Sequence, residues 1–388
     1  MIPKILFTLC VMLCQSNFAL GKDAHGITPP SSSTITNTIP LLKEVNQPYL
    51  WIKNRQLANG LVESAEGSNF VSLYDNALAA LVYTIHDDRE STEKILDYFD
   101  HRLNTEFIEL GGGFYQFRRG DGSQTRRKWI GDNAWLLIAI NHYSERFSSS
   151  KYDAMAKALE NWLRAQQAED GGLWGGVQAN GQQIHKITEG IITAFNAVSG
   201  YDNFHHGILQ YLKENRWDND ESLLLAWPEN PKYQYAMDLH SLGSLIYPTL
   251  SNDLLRKANM YGTKQMSSVN GQQINGYCFD EDKDVIWLEG TAQMALAFRQ
   301  SGMEKEGRQL IQEIKKTLIF SKADNAIAGV PYSVNQGTNY GTSKLWEHAD
   351  QAAAISSSAW YVFALKNFNP FALSEQKNVP AQDKFWLR

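Results

Sequence analysis

Leu288-Glu289-Gly290-Thr291-Ala292 sets an acidic residue ahead of small residues and an apolar run. The same order occurs at Tyr74-Asp75-Asn76-Ala77-Leu78-Ala79-Ala80, Gly131-Asp132-Asn133-Ala134-Trp135, Thr188-Glu189-Gly190-Ile191, Met237-Asp238-Leu239-His240-Ser241 and Ala349-Asp350-Gln351-Ala352-Ala353. The acidic positions stand 49 to 61 residues apart, which leaves room for one helical hairpin and a long loop per unit. A repeat of that period means an array of like structural units. The runs that follow the acids are apolar nearly all round, as in Ala352 to Leu365, and predict inner helices buried on every side. Between them lie segments with charged faces: Leu41 to Ala58, Glu90 to Asn104, Lys151 to Gln167, Asn203 to Asn215, Asn252 to Gly262 and Met303 to Leu318. In the third, Tyr152, Met155, Ala156, Leu159, Trp162 and Leu163 recur at three and four residues, the single stripe of an outer helix.

Alternating outer and inner helices are packed most economically as a closed ring of six hairpins, because each inner helix then buries both flanks and its back. The expected fold is therefore all-α, an (α/α)6 toroid. Its parallel inner helices open their N-termini on one end of the ring, together with the long loops that precede them. Those loops are rich in glycine and aromatics. Asn-Gly-Gln-Gln-Ile occurs twice, at 180–184 and 270–274, each time ahead of an inner helix, and Asn-Gly predicts short β-ribbons over that end.

Composition narrows the partners. The 388 residues are 43% hydrophobic with a net charge of −6, which lacks the broad basic field that nucleic-acid binding uses. Eleven Trp, 17 Tyr and 17 Phe suit a protein that stacks flat ligands or sugar faces. Residues 1–21 read as a secretory signal, with Lys4 before the apolar stretch Ile5 to Leu13 and a small-x-small site at Ala19-Leu20-Gly21. Residues 22–40 read as a flexible leader, 41–373 as the toroid and 374–388 as a C-terminal tail. The expectation is an exported monomer, periplasmic or secreted, without a membrane anchor. Cys278 is the one cysteine outside the signal and is expected to be a buried structural thiol.

The pattern resembles the six-hairpin glycosidase superfamily, whose α/α toroids include glycoside hydrolases and related lyases and epimerases. The resemblance covers roughly residues 40 to 371, is architectural, and is supported by Trp287-Leu288-Glu289-Gly290-Thr291-Ala292-Gln293-Met294-Ala295 and Trp360-Tyr361-Val362-Phe363. It implies catalytic carboxylates at the inner-helix ends.

Glycoside hydrolysis needs one carboxyl to protonate the leaving oxygen and another to activate water or attack. Glu289 and Asp132 lead the candidates, with Trp287 and Trp129 just before them. Glu189 follows the Trp174 loop, and Asp75, beside Tyr74, and Asp350 complete the catalytic set. Helix physics alone offers a plainer reading, since acids are favoured in any first turn. Trp129, Trp174, Trp287, Trp346 and Tyr74 are the expected substrate platforms. The loop from Arg118 to Lys128 carries five positive charges, and Arg126 and Arg127 could receive an acidic group on the sugar, against the alternative of a solvated loop. His240 and His348, at the starts of the fourth and sixth inner helices, resemble the paired histidines of toroid epimerases. Asp280-Glu281-Asp282-Lys283-Asp284 lacks the glycine and final glutamate of an EF-hand and reads as a solvated turn, so no metal or cofactor is expected. The resulting expectation is an exported hydrolase of a poly- or oligosaccharide, acidic ones included, acting by paired carboxylates with inversion. The alternatives are an epimerase or lyase using His240 and His348, and a non-catalytic carbohydrate-binding toroid.

Overall fold

The computed structural model describes residues 41–250, 252–336, 339–340, 343–344, 349–373 and 377–387. The expected signal and leader therefore lie outside the described residues. Twelve α-helices occur among those described: α1 (Leu41–Lys53), α2 (Leu73–Thr84), α3 (Arg89–Asp100), α4 (Ile130–Phe147), α5 (Asp153–Ala165), α6 (Thr188–Ala197), α7 (Asn203–Asn215), α8 (Asp238–Ile246), α9 (Asn252–Lys257), α10 (Leu288–Gln300), α11 (Glu304–Lys315) and α12 (Ile355–Lys366). The even-numbered helices form the inner ring. Each packs on the next, from α2 through α4, α6, α8 and α10 to α12, and α12 packs back on α2. The odd-numbered helices lie outside them, each against its hairpin partner, and α1 closes the outer layer on α12. The fold is the six-hairpin toroid.

Local chemistry accounts for the alternation. In α5 the stripe of Met155, Leu159, Trp162 and Leu163 is buried and the rest of the helix faces outward. In α12 every residue from Ile355 to Ala364 is buried, as an inner helix requires. Starts and stops are marked by short polar side chains: Ser72 accepts from the Asp75 amide at the start of α2, and Asp202 and His205 form a reciprocal capping box on α7. Inner-to-outer connections such as 85–88 and 301–303 are short, whereas the outer-to-inner loops are long, so one end of the ring is tight and the other carries the loops.

The short antiparallel ribbons stand in those loops. Lys128–Trp129 pairs with Gly176–Val177, and Gly262–Met266 pairs with Gln273–Tyr277. The two Asn-Gly-Gln-Gln-Ile copies make the same turn. Gly181 and Gly271 hold positive φ of 85° and 66°, and the Asn180 and Asn270 side chains each accept from the amide two residues on.

The tight end is sealed by the chain after α12. The His142 ring lies 2.8 Å from the Pro370 carbonyl, Asn196 Nδ2 donates to the Phe371 carbonyl and Asn369 Nδ2 donates to the Leu245 carbonyl. Phe371 thereby meets Trp135 and Trp360 on the ring axis. Residues 377–387 pack onto the body rather than trailing from it. Tyr201 Oη donates to Asp383, and Phe385 and Trp386 meet Trp217 and Tyr247, because their aromatic surface is better buried than hydrated. Cys278 is buried, and burial pushes its thiol up to about 12, which leaves it unreactive. No helix among the described residues is long and apolar enough to cross a membrane.

Candidate active site

The first turns of α6, α8 and α10 carry Glu189, Asp238 and Glu289 to one narrow cavity of about 40 Å3, whose wall is completed by Tyr74, Trp135, Leu242, Phe279, Trp287, Gln293 and Tyr332. Burial disfavours the charged form of each acid. It pushes Glu189 up to about 8, with Asp238 and Asp132 adding repulsion. It pushes Glu289 up to about 8 against hydrogen bonds from Tyr74 and Ser356, and Asp238 up to about 7 against backbone amides. The carboxyls also repel one another's charge, so their ionisation is linked and the cluster retains acid at neutral pH.

Hydrogen bonding distinguishes the two glutamates. Glu289 Oε1 accepts from Tyr74 Oη at 2.7 Å and from Gln293 Nε2 at 3.4 Å. Glu189 Oε1 has Thr193 Oγ1 at 3.3 Å, and its Oε2 is buried with no protein partner. Asp238 Oδ1 and Trp287 Nε1 are in the same condition. These atoms belong to cavity-lining residues, where a hydroxyl or water would satisfy them.

The remaining expected residues fall into distinct places. Asp75 and Asp132 are buried in the first turns of α2 and α4, outside the cavity wall, and act on it through charge; burial pushes Asp75 up to about 6. Tyr74 and Trp287 line the cavity. Trp129 does not present a face to a sugar. It is 0% exposed because Gly131, Gly175 and Gly190 let the indole sink between the first turns of α4 and α6. Trp174 is half-buried with Lys186 over its ring, away from the cavity. Asp350 is not in the first turn of α12, which starts five residues later at Ile355; it is buried and accepts from Ser268, and Ser356 takes the helix-start position.

His240 is not a cavity residue. Its Nδ1 lies 2.8 Å from the Leu254 carbonyl and its ring packs edge-on against Tyr261, and burial lowers it to about 4. Trp346 and His348 lie outside the described residues. The basic loop is largely spent on structure. Arg118 forms a buried two-pronged pair with Glu106, Lys128 donates to the Leu110 and Gly112 carbonyls at 2.6 Å, and Arg127 Nε donates to Gln178. Arg126 is exposed.

The sequence reading missed Trp135, Leu242, Phe279, Gln293 and Tyr332 as wall residues, and left Asp238 out of the catalytic set. Gln293 was accessible from its spacing, four residues after Glu289 on one helix face. Tyr332 and Phe279 arrive from loops and carry no local signal. A larger groove of about 1200 Å3 lies on the outer wall, lined by residues including Arg256, Tyr277, Phe298 and Arg308. It lacks the buried carboxyls that the smaller cavity gathers. Among the described residues, Asp280, Asp282 and Asp284 bring carboxylate oxygens within 4.8 Å of one another on their turn, the one grouping that could hold a cation.

No family model and no curated protein matches the chain. Solved structures do match its fold. An alpha-amylase from Clostridium perfringens superposes with a TM-score of 0.60 at 13% identity, covering 86% of this chain and 100% of that one. A wild-type glycosidase gives 0.58 at 12%, over 86% and 99%. A sugar epimerase from a ruminal bacterium gives 0.56 at 12%, over 84% and 99%.

Proposed function

We propose that this six-hairpin toroid is an exported glycoside hydrolase acting on a poly- or oligosaccharide. The observation that carries the reading is a pair of buried glutamates, differently hydrogen-bonded, on two walls of one water-sized cavity. Glu189, short of donors and facing acidic neighbours, is the protonated partner and gives its proton to the glycosidic oxygen as that bond breaks. Glu289, supplied with donors that ease its ionisation, serves as the base and, once ionised, takes a proton from the water that attacks the anomeric carbon. Asp238 on the intervening helix keeps the cluster from ionising fully. The cavity admits a water but not a sugar ring, so the glycan sits in the loop-bearing mouth with the scissile bond against the carboxyls. A water held between two carboxyls is the arrangement of inversion. The carbohydrate enzymes among the fold's neighbours support the substrate class, and the features of residues 1–21 support export.

The histidine-based epimerase reading loses its first member, because His240 is committed to the Leu254 carbonyl. The test is a product assay on neutral, acidic and amino-substituted glycans, following reducing ends and ultraviolet absorbance together. The expected result is reducing ends without absorbance, reduced at least about 1000-fold in Glu189→Gln and Glu289→Gln. An unsaturated or epimerised product, or glycan retention without turnover, overturns hydrolysis.

A further inference from the structure

Tyr74 was expected to touch substrate, yet its hydroxyl is engaged on both sides. Trp360 Nε1 donates to Tyr74 Oη at 2.7 Å, and Tyr74 Oη donates to Glu289 Oε1 at 2.7 Å. The indole N–H fixes the direction of the chain: once the phenol oxygen accepts from Trp360, its own proton points to the carboxylate. The ring is clamped as well, standing edge-on to Trp135 at 5.6 Å, while Trp135 stands edge-on to Trp360 at 5.7 Å. A second donor reaches the same oxygen: Gln293 Nε2 lies 3.4 Å from Glu289 Oε1, and its own Oε1 is 3.2 Å from the Ser241 hydroxyl, whose one proton also has the Asp238 carbonyl at 3.0 Å. Helices α2, α10 and α12 thus each contribute to holding one oxygen atom.

We infer that Tyr74, oriented by Trp360, is a positioning residue that holds Glu289 Oε1 as an acceptor and so makes Glu289 easier to ionise than its burial alone would allow. The inference rests on the proposed roles of Glu189 and Glu289. A short hydrogen bond from a neutral phenol favours a carboxylate over a carboxylic acid, whose own proton would compete for partners. Removing the hydroxyl therefore makes Glu289 harder to ionise, and reaches Glu189 only through the charge the two share across the cavity.

The test is Tyr74→Phe in the full chain, which keeps the ring and its aromatic contacts. Infrared difference titration against Glu289→Gln isolates the Glu289 carboxyl without any substrate. The expected result is a Glu289 midpoint raised by about one pH unit. With an active glycan, the acidic limb of the pH–rate profile should rise with it, kcat should fall about tenfold and KM should stay within about twofold. Trp360→Phe should move the midpoint the same way by less. An unmoved Glu289 midpoint in folded Tyr74→Phe overturns the inference, whether or not the protein hydrolyses a sugar. A raised midpoint with no turnover on any glycan upholds the hydrogen-bond role and removes the glycosidase reading.

Discussion

At the scale of single residues, burying carboxyls at a ring centre has a thermodynamic signature that can be read without a substrate. Asp75, Asp238, Glu189 and Glu289 stand at about 6, 7, 8 and 8, above ordinary values of 3.8 for Asp and 4.5 for Glu. Between the ordinary and the raised values the folded chain binds more protons than the unfolded one, so stability falls as pH rises. Buried His240, lowered to about 4, pulls the other way below its ordinary value of 6.5, so thermal melts should show Tm decreasing from about pH 6.5 to about pH 8 and levelling above. Glu189→Gln and Glu289→Gln should flatten that slope, because a neutral amide has no charge to bury. A Tm that instead climbs through this range would mean that the carboxyls are ionised and paired. The same groups set catalysis: an acid that must be protonated and a base that must be ionised give a bell near pH 7 to 8, whose limbs belong to the cluster as a whole. That an acid starts each of five inner helices was visible in the chain itself. Which acids share a cavity was not, since Asp132 and Glu289 look alike in sequence and only Glu289 lines the wall.

At the scale of elements, the first turn of α10 shows how a helix start is shaped around its neighbours. Gly290 follows Glu289, and a Cβ there would come within 2.2 Å of both the Met237 methyl and the Trp287 ring. Intrinsic helix propensity favours alanine over glycine by about 1 kcal/mol. The crowding opposes this with about 1 to 3 kcal/mol of overpacking. Gly290→Ala should therefore lower stability by as much as about 2 kcal/mol in denaturant melts, and it should cost activity by displacing Trp287 from the cavity wall. Unchanged or raised stability would mean that the Trp287 ring has room to move. The helices themselves were legible because their signals are local. Stripes at three and four residues, short polar caps and Asn-Gly turns act within a few residues, and the outer segment 203–215 matches its helix at both ends. The sixth inner helix was placed too early, from Ala352, because the small residues after Asp350 resemble a helix start, while 349–351 form a turn and Ala353 and Ala354 are still bridged to Pro331 and Ala65.

At the scale of the whole molecule, the ring is closed below its cavity by Phe371, which reaches Trp135 and Trp360 from beyond the last helix. Phe371→Ala should cost about 3 to 5 kcal/mol, the range for removing a buried aromatic. It should also loosen the Trp360–Tyr74 contact, so activity should fall by more than the loss of folded protein accounts for. A variant losing less than about 1 kcal/mol would show that the ring closes without this plug. The sequence by itself determined the six hairpins, their alternation and the end of the ring at which the acids gather. It could do so because helix periodicity, capping and repeat spacing are properties of neighbouring residues. Only the tertiary structure decided that Trp129 is sunk among glycines, that His240 serves a backbone carbonyl, that the basic loop pairs with Glu106 and donates to backbone carbonyls, and that Tyr74 and Trp360 hold Glu289. Those outcomes depend on burial and on partners more than a hundred residues away in several cases, and a carboxyl's chemistry is set by what surrounds it.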